Sequence, residues 1–297
     1  AHGPPPDMSP TLKAALWMAG TVASFTGMAV AGRQLGGTLD TFEIMFYRSL
    51  VGLAIVVAVA AGAGRLAEVR TRRIGLHAAR NLAHFTGQNL WFFAIPLIPL
   101  AQLVAFEFTS PIWVVLLSPL ILGERLTVMR LVSATLGFLG ILIVAQPGAA
   151  PLSVGQIAAA GAAVGFAVSA VFTRRLTRSE TITCILFWMT AMQAVLGLVT
   201  AAADLDVAVP PLWAAGWLVV VGIAGLSAHF CLTSALSLAP AAVVMPMDFA
   251  RLPVLTAVGV ALYAEDLQWA VLAGAAVIFA ANYLNIWAET RARRALP

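Results

Sequence analysis

The chain has 297 residues, of which 61% are hydrophobic and only 10% charged, and its mean hydropathy is +0.94. A soluble domain has roughly a quarter of its residues charged, so this composition excludes an ordinary soluble protein. The pI near 9.7 does not indicate nucleic-acid binding, because the basic residues lie in short clusters between long apolar runs. The composition predicts an all-α integral membrane protein.

The N-terminus and the cysteines add little to this prediction. Residues 1–7 (AHGPPPD) resemble an expression remnant or a disordered N-terminus and are left out of the fold prediction. Cys184 and Cys231 each lie inside an apolar run, and no CxxC spacing is present. The spacing therefore implies neither a zinc site nor a disulfide, and no metal or cofactor is expected.

Ten apolar stretches are long enough to cross a membrane, which takes about 20 residues in a helix. The third is the most polar, since it contains His77, Arg80, Asn81, His84 and Gln88. The predicted spans are 12–34, 41–63, 75–95, 99–121, 128–146, 153–173, 181–203, 212–236, 241–263 and 268–288. The connections between them are short, as in bundles of antiparallel neighbours.

The positive charges alternate between the two sides of this predicted bundle. Fourteen of the seventeen Lys and Arg residues fall on the side that carries both termini. Arg33 falls on the other side, while Arg48 and Arg251 lie within spans. Because basic connections stay in the cytoplasm, we expect a multi-pass protein of a bacterial-type inner (plasma) membrane with both termini cytoplasmic. Residues 291–297 would form a basic cytoplasmic tail.

The chain repeats itself at an offset of 141 residues. Matched Arg, Pro, Phe and acidic positions are harder to attribute to chance than matched Ala or Leu. The offset pairs Arg33 with Arg174, Pro99 with Pro240, Glu107 with Asp248, Phe108 with Phe249, and Glu124 with Glu265. Since five spans per repeat is an odd number, the halves 8–147 and 148–290 are predicted to be inverted, as in many secondary transporters.

Ionisable groups inside spans are costly in lipid and often functional. Glu107 lies about 12 Å into span 4, and Asp248 lies equally deep in span 9 from the other side. Each could bind an ammonium group or a proton, or could be a hydrogen-bonded buried acid. Arg251, three residues after Asp248, could bind a substrate carboxylate or only neutralise that acid. For Glu43 and Arg48 a structural role is favoured.

Span 3 carries a polar stripe of His84, Gln88 and Trp91, which cannot face lipid. His229 occupies the repeat position of Gln88. Both histidines, together with the two acids, are candidates for proton coupling, with interhelical hydrogen bonding as the alternative.

Deep aromatic residues are candidates for the wall of a substrate cavity, with core packing as the alternative. They are Trp17, Phe25, Trp113 and Phe166. Prolines in spans 4 and 9 are candidate hinges, because proline removes a helical hydrogen bond. They are Pro111, Pro119, Pro246 and Pro253. In span 6, Gly161 and Gly165 form a small-xxx-small pattern that allows close helix packing.

Three segments resemble a known family: FYRSLVGL in span 2, PLAQLVAFEFTSPIWVVLLSPLILGERLT through span 4, and LAPAAVVMPMDFARLPVLTAVGVALYAEDL through span 9. They are similar to EamA-type members of the drug/metabolite transporter superfamily, and the likeness covers residues 12–288. The LGE-x-L-T ending of span 4 returns loosely as YAEDLQ, with Ala264 for Gly and Gln268 for Thr. The resemblance implies two EamA repeats, alternating access, and a central cavity lined by spans 1, 3, 4, 6, 8 and 9.

The expected function is export of small metabolites, with aromatic or apolar amino acids favoured because paired acids and Arg251 suit a zwitterion. A carrier of drugs or of other metabolites, such as nucleotide-linked sugars, is the alternative. A membrane-embedded enzyme is disfavoured because no HExxH, GxSxG or P-loop is present, and a channel is a third class. The expected partners are a small-molecule substrate and the lipid bilayer, without nucleic acid; a monomer suffices for this function.

Overall fold

The computed structural model describes residues 10–122, 127–146, 151–238 and 247–294. The N-terminal residues 1–7, Glu124, Pro246 and the last three residues of the basic tail therefore lie outside the described residues.

Regular structure in the described ranges is helical. The helices are α1 (Pro10–Leu35), α2 (Thr41–Gly62), α3 (Ile74–Ala94), α4 (Leu100–Glu107), α5 (Ser110–Leu122), α6 (Val128–Ala145), α7 (Val154–Leu176), α8 (Ile182–Ala201), α9 (Leu212–Leu238), α10 (Arg251–Tyr263) and α11 (Trp269–Arg294), with short 3₁₀ helices at Leu66–Val69 and Ala202–Asp204. The prediction of an all-α membrane protein is confirmed.

The helices account for the ten predicted spans. Eight stretches are long and apolar enough to cross a membrane, among them Leu100–Leu117, which joins α4 to α5. The other two crossings are α3, which carries the polar stripe, and α10, which has 13 described residues. Large apolar side chains such as Val59 and Val199 stand 65% exposed on the outside of the bundle, as expected for a surface that faces lipid.

Side chains near the helix ends explain where several helices begin. Asp40 and Glu43 form a capping box at the start of α2, in which each side chain binds the backbone N–H of the other residue. Ser153 and Gln156 do the same for α7. Such caps satisfy backbone donors that the first helical turn leaves free. Glu43 therefore has the structural role that was favoured for it.

The helices of one half pack on helices of the other. α1 packs on α9 and α3 packs on α7, while α2 pairs with α8, α6 with α11, and α4 with α10. α4 and α5 together count as one span. Moving each helix of a pair on by five spans turns the α1–α9 pair into the α7–α3 pair, and it returns each of the other three pairs unchanged. This pairing is what a two-fold relation between inverted repeats requires.

The α3–α7 contact is close because two glycines face each other. A Cβ atom added at Gly165 would lie 2.8 Å from the Cα atom of Gly87 and 3.0 Å from the carbonyl oxygen of Ala83. These neighbours are backbone atoms, which cannot rotate away. The small-xxx-small pattern therefore marks a real helix contact at Gly165.

We expect Gly165→Ala to destabilise the protein by about 1–3 kcal/mol, the usual cost of overpacking. Gly27→Ala is the matched control, because a methyl group there would meet no described atom within 4 Å, and alanine stabilises an open helix by about 0.4–1 kcal/mol over glycine. Thermal unfolding in detergent measures both variants. Equal unfolding midpoints for the two would contradict the close α3–α7 packing.

The fourth span is broken in the middle. α4 ends at Glu107, and α5 begins at Ser110. Pro111 has no N–H to donate to the carbonyl of Glu107, so the helical ladder is interrupted there. The Asn282 side chain of α11 donates to the carbonyl oxygen of Phe108 at 2.9 Å, which satisfies a backbone acceptor that the break exposes.

The ninth span has a break at the equivalent place. Residues 247–248 are helical, 249–250 form a turn, and α10 begins at Arg251. The 141-residue offset maps this turn onto 108–109. Pro253 cannot donate to the carbonyl of Phe249, which again favours an interruption. Pro119, in contrast, lies within α5, which continues to Leu122.

Candidate substrate-binding site

Glu107, Asp248 and Arg251 meet at the two helix breaks, and we call them the Arg251 group. The Nη2 atom of Arg251 donates to Glu107 Oε1 at 2.9 Å and to Asp248 Oδ2 at 3.1 Å. Arg251 is only 3% exposed. Glu107 comes from the first half of the chain and the other two residues from the second, so the ion pair joins the halves at their centre.

Aromatic side chains enclose this group. The Arg251 guanidinium lies 4.8 Å from the ring centre of Phe25 and 5.1 Å from that of Phe108, distances at which cation–π attraction contributes. Phe108 in turn lies 4.5 Å from Phe249, centre to centre. The indole N–H of Trp91 donates to Glu107 Oε2 at 3.0 Å. Both oxygens of the Glu107 carboxylate are thus held by specific donors.

The Arg251 group retains binding capacity. It carries formally one positive and two negative charges. Among the described atoms, Asp248 Oδ1 and Arg251 Nε are buried and have no hydrogen-bond partner. Leaving a buried acceptor and a buried donor unsatisfied costs about 1–3 kcal/mol each. A ligand with both kinds of polar group would recover part of that free energy.

A second polar group lies beside the first, and it is built around Arg48. This residue is 7% exposed and donates through Nη1 to Gln88 Oε1 at 2.5 Å. Its Nε atom makes no hydrogen bond within the described part of the chain. A structural role was favoured for Arg48 from the sequence, but its contact with the polar stripe of α3 was not predicted.

The rings of His84 and His229 lie between these two polar groups. His84 and His229 lie 6.1 Å apart, ring centre to ring centre, and His84 lies 5.8 Å from Phe166. His229 lies 5.9 Å from Phe25, whose ring also faces Arg251. The predicted residues Phe25, His84, Phe166 and His229 are thus brought into one neighbourhood with the Arg251 group, joined through Phe25.

Two of the predicted aromatic residues have other contacts. Trp17 is 38% exposed and packs edge-on against Phe230 at 5.6 Å. Trp113 packs edge-on against Phe138 of α6 at 5.1 Å. Trp113 thus packs between α5 and α6, whereas Trp17 and Phe230 pack against each other at an exposed position, and a role for either tryptophan in the cavity wall stays a prediction.

A further ion pair lies on the predicted outer side, near the end of α1. Arg33 pairs with Glu265 and also donates to the carbonyl oxygens of Ile95 and Ile98, at 2.6 and 2.5 Å through Nη2. Glu265 Oε2 accepts from the backbone N–H of Leu100 at 2.9 Å. We call Arg33 and Glu265 the outer ion pair. Glu265 is the first of the two acidic residues of the YAEDLQ segment, so the segment has a structural role here.

Comparison with known proteins agrees with this architecture. Residues 12–146 match the EamA-like transporter family. A riboflavin transporter of Brucella anthropi is 30% identical over 256 residues, which cover 85% of this chain and 89% of the relative. An S-adenosylmethionine uptake transporter of Rickettsia bellii is 24% identical, covering 93% of this chain and 94% of the relative.

Two further matches extend over nearly the whole chain. A riboflavin transporter of Vibrio cholerae is 23% identical and covers 95% of this chain and 96% of its own length. A solved crystal structure with 20% identity superposes with a TM-score of 0.63 over 94% of this chain and 98% of that one, which supports the fold. The resemblance drawn from the sequence is confirmed: the chain belongs to the EamA-like transporter family of the drug/metabolite transporter superfamily.

Proposed function

We propose that this protein moves a small aromatic metabolite across a bacterial inner membrane by alternating access, with the Arg251 group as the substrate site. One observation carries the proposal. A buried arginine is held between acids from opposite halves at two equivalent helix breaks. Broken helices near mid-membrane are a common place for substrate and coupling-ion sites in secondary transporters.

The contacts of the Arg251 group favour a substrate with an aromatic ring and polar substituents. Phe25 and Phe108 offer ring faces, while Asp248 Oδ1 and Arg251 Nε offer an acceptor and a donor. Riboflavin is the first candidate, because it combines a planar ring system with a polyhydroxyl chain, and two of the similar proteins are named riboflavin transporters.

An aromatic amino acid is the second candidate, with export as the direction. Carboxylates and a guanidinium lie side by side in the Arg251 group, which suits the ammonium and carboxylate of a zwitterion. Transport of either substrate is proposed to be coupled to protons through Glu107, Asp248, His84 or His229, since these are the titratable groups of the site.

The proposed transport cycle uses the two halves as its moving parts. Glu107 belongs to the half 8–147, while Asp248 and Arg251 belong to the half 148–290. Substrate binding would exchange the contact between Glu107 and Arg251 for contacts to the substrate, which frees one half to move against the other. The proposal has both termini in the cytoplasm, as the distribution of basic residues predicts, and the outer ion pair closing the periplasmic end.

Ligand-dependent unfolding tests the binding part of this proposal. The panel consists of riboflavin, S-adenosylmethionine, tryptophan, phenylalanine and leucine, added to purified protein. A ligand at a hundred times its dissociation constant stabilises the folded state by about 2.7 kcal/mol. We expect riboflavin to raise the unfolding midpoint of the wild type but not of Arg251→Gln.

Arg65→Gln is the matched control, because Arg65 forms an exposed ion pair with Glu68 away from the site, and it should respond like the wild type. Stabilisation by tryptophan and phenylalanine alone would favour the second candidate. Equal stabilisation of the wild type and Arg251→Gln would remove the Arg251 group from the binding site.

A further inference from the structure

Three side chains with metal-binding atoms meet on the predicted cytoplasmic side, away from the Arg251 group. They are His77 of α3, Glu180 in the α7–α8 connection and Cys184 of α8, and one ligating atom of each lies within 4.8 Å of the others. The Cys184 Sγ atom lies 3.3 Å from Glu180 Oε2 and 4.0 Å from His77 Nε2. His77 and Cys184 are fully buried, and Glu180 is half-buried.

The starts of α8 and α3 explain why these side chains lie close together. Thr181 caps α8 by accepting from the backbone N–H of Cys184 at 3.1 Å, so Cys184 lies in the first turn of α8. His77 lies in the first turn of α3, which packs beside α8. The starts of these two helices therefore bring a thiol and an imidazole, both possible metal ligands, to the same place.

Hydrogen bonds hold the surroundings in place. Thr71 Oγ1 donates to Glu180 Oε1 at 2.7 Å, which leaves Oε2 directed at Cys184. Trp188 Nε1 donates to the carbonyl oxygen of Val69 at 2.9 Å. Partners of this kind orient the residues that bind a metal ion. One carboxylate oxygen is thus held by Thr71, and the other accepts from the Cys184 thiol, whose proton a bound metal ion would replace.

The imidazole of His77 lacks a good polar partner. Its Nδ1 atom makes no hydrogen bond to any described atom, and the sulfur contact of Nε2, at 4.0 Å, is long. Buried polar groups are almost always hydrogen-bonded or bound to an ion. The nearby cation Arg80 donates to Asn81 and Thr173 instead. A metal ion bound to Nε2 would replace this long sulfur contact with a strong one, while Nδ1 would remain as it is.

The donor set matches one class of ion. Thiolate, imidazole and carboxylate are the zinc ligands of proteins, with bonds of about 2.0–2.3 Å, which place tetrahedral ligand atoms about 3.3–3.8 Å apart. The separations from the sulfur, 3.3 Å to Glu180 and 4.0 Å to His77, lie close to this range, and the His77 and Glu180 atoms lie within 4.8 Å of each other. A thiolate and a carboxylate also carry two negative charges, which neutralise a divalent cation in a buried site. Mg²⁺ is disfavoured because it prefers oxygen ligands.

We propose that His77, Glu180 and Cys184 bind one Zn²⁺ ion on the predicted cytoplasmic side of the bundle. When the ion binds, the Cys184 thiol gives its proton to water and the thiolate sulfur becomes the ligand. A water molecule completes the four-coordinate shell. The site joins α3 from the first half of the chain to α8 from the second.

Metal titration of purified, chelator-stripped protein tests the site. We expect one Zn²⁺ per chain and a higher unfolding midpoint with Zn²⁺ than without it. His77→Ala and Cys184→Ser should each weaken binding about tenfold or more, which corresponds to about 1.4 kcal/mol. Cys231→Ser is the matched control, because that cysteine lies in α9 beside Gly20, and it should bind as the wild type does.

Cobalt absorption of the Cys231→Ser protein gives a test that needs no ligand variant. Co²⁺ bound to Cys184 should produce a thiolate-to-metal charge-transfer band, which excess Zn²⁺ removes and millimolar Mg²⁺ leaves unchanged. Absence of this band would overturn the proposal, even if the ligand variants fail to fold. Undiminished Zn²⁺ binding in both His77→Ala and Cys184→Ser would overturn it as well, because the ion would then lie elsewhere.

Discussion

Replacing Arg251 with glutamine should lower substrate transport about tenfold or more, the equivalent of about 1.4 kcal/mol or more. The reason is that Arg251 is buried and bound to both Glu107 and Asp248. Without it, two carboxylates from opposite halves face each other without a cation, and the donor proposed to bind substrate is gone. Uptake of labelled riboflavin into proteoliposomes measures the effect, with protein amount and monodispersity checked in parallel.

A neutral triple variant separates a binding role from a structural one. Arg251→Gln combined with Glu107→Gln and Asp248→Asn removes the unpaired charges, so it should unfold at a higher temperature than Arg251→Gln alone. We expect it to remain inactive, because the substrate contacts are still missing. Recovery of wild-type transport in the triple variant would show that Arg251 serves only to neutralise the two acids.

Removal of the outer ion pair should open the predicted periplasmic end. Glu265 binds Arg33 and the N–H of Leu100, so it joins the connection after α10 to the end of α1 and the start of α4. In Glu265→Gln we expect a membrane-impermeant maleimide to label a cysteine at Ala101→Cys about tenfold faster or more. A tenfold change corresponds to about 1.4 kcal/mol, within the effect of breaking a buried ion pair. The background is Cys184→Ser with Cys231→Ser.

Glu68→Gln is the control for this experiment, because Glu68 also pairs with an arginine but in the 63–73 connection on the opposite side. It should leave the labelling rate unchanged, since exposed ion pairs contribute little. Unchanged labelling in Glu265→Gln would mean that the outer ion pair does not control access. Faster labelling in both variants would indicate general loosening of the bundle instead.

The sequence predicted the number and placement of the membrane crossings because apolar length and basic connections determine both. The polar third span is the instructive case. Its buried His77, Arg80 and Asn81 lower the hydropathy of α3 below that of a typical crossing, yet they face other helices rather than lipid. Charge alternation therefore predicted α3 better than hydropathy did.

The helix breaks could be predicted only in part. Prolines pointed to spans 4 and 9, but the interruption lies at 108–109 because Pro111 follows it and Asn282 binds the exposed carbonyl of Phe108. A contact between α11 and the break between α4 and α5 depends on tertiary packing, which no local pattern contains. Pro119, by contrast, causes no interruption of α5.

The candidate site, like the helix breaks, could be predicted from the sequence only in part. The 141-residue offset predicted that Glu107 and Asp248 lie at equivalent depths, and their shared contact with Arg251 agrees with that. It could not predict the pairing of Arg48 with Gln88, because those residues lie on different helices. The proximity of His77 and Cys184 could not be predicted for a similar reason, since the two residues lie far apart in the sequence.

The most direct measurement of the central claim is riboflavin counterflow in proteoliposomes that contain the wild-type protein. Unlabelled riboflavin trapped inside should accelerate uptake of labelled riboflavin. The reason is that an alternating-access carrier turns its binding site back to the outside faster with riboflavin bound than when the site is empty. A saturable, trans-stimulated flux that is lost in Arg251→Gln is the predicted result. Flux that is neither saturable nor trans-stimulated, or that persists unchanged in Arg251→Gln, would contradict transport by alternating access at the Arg251 group.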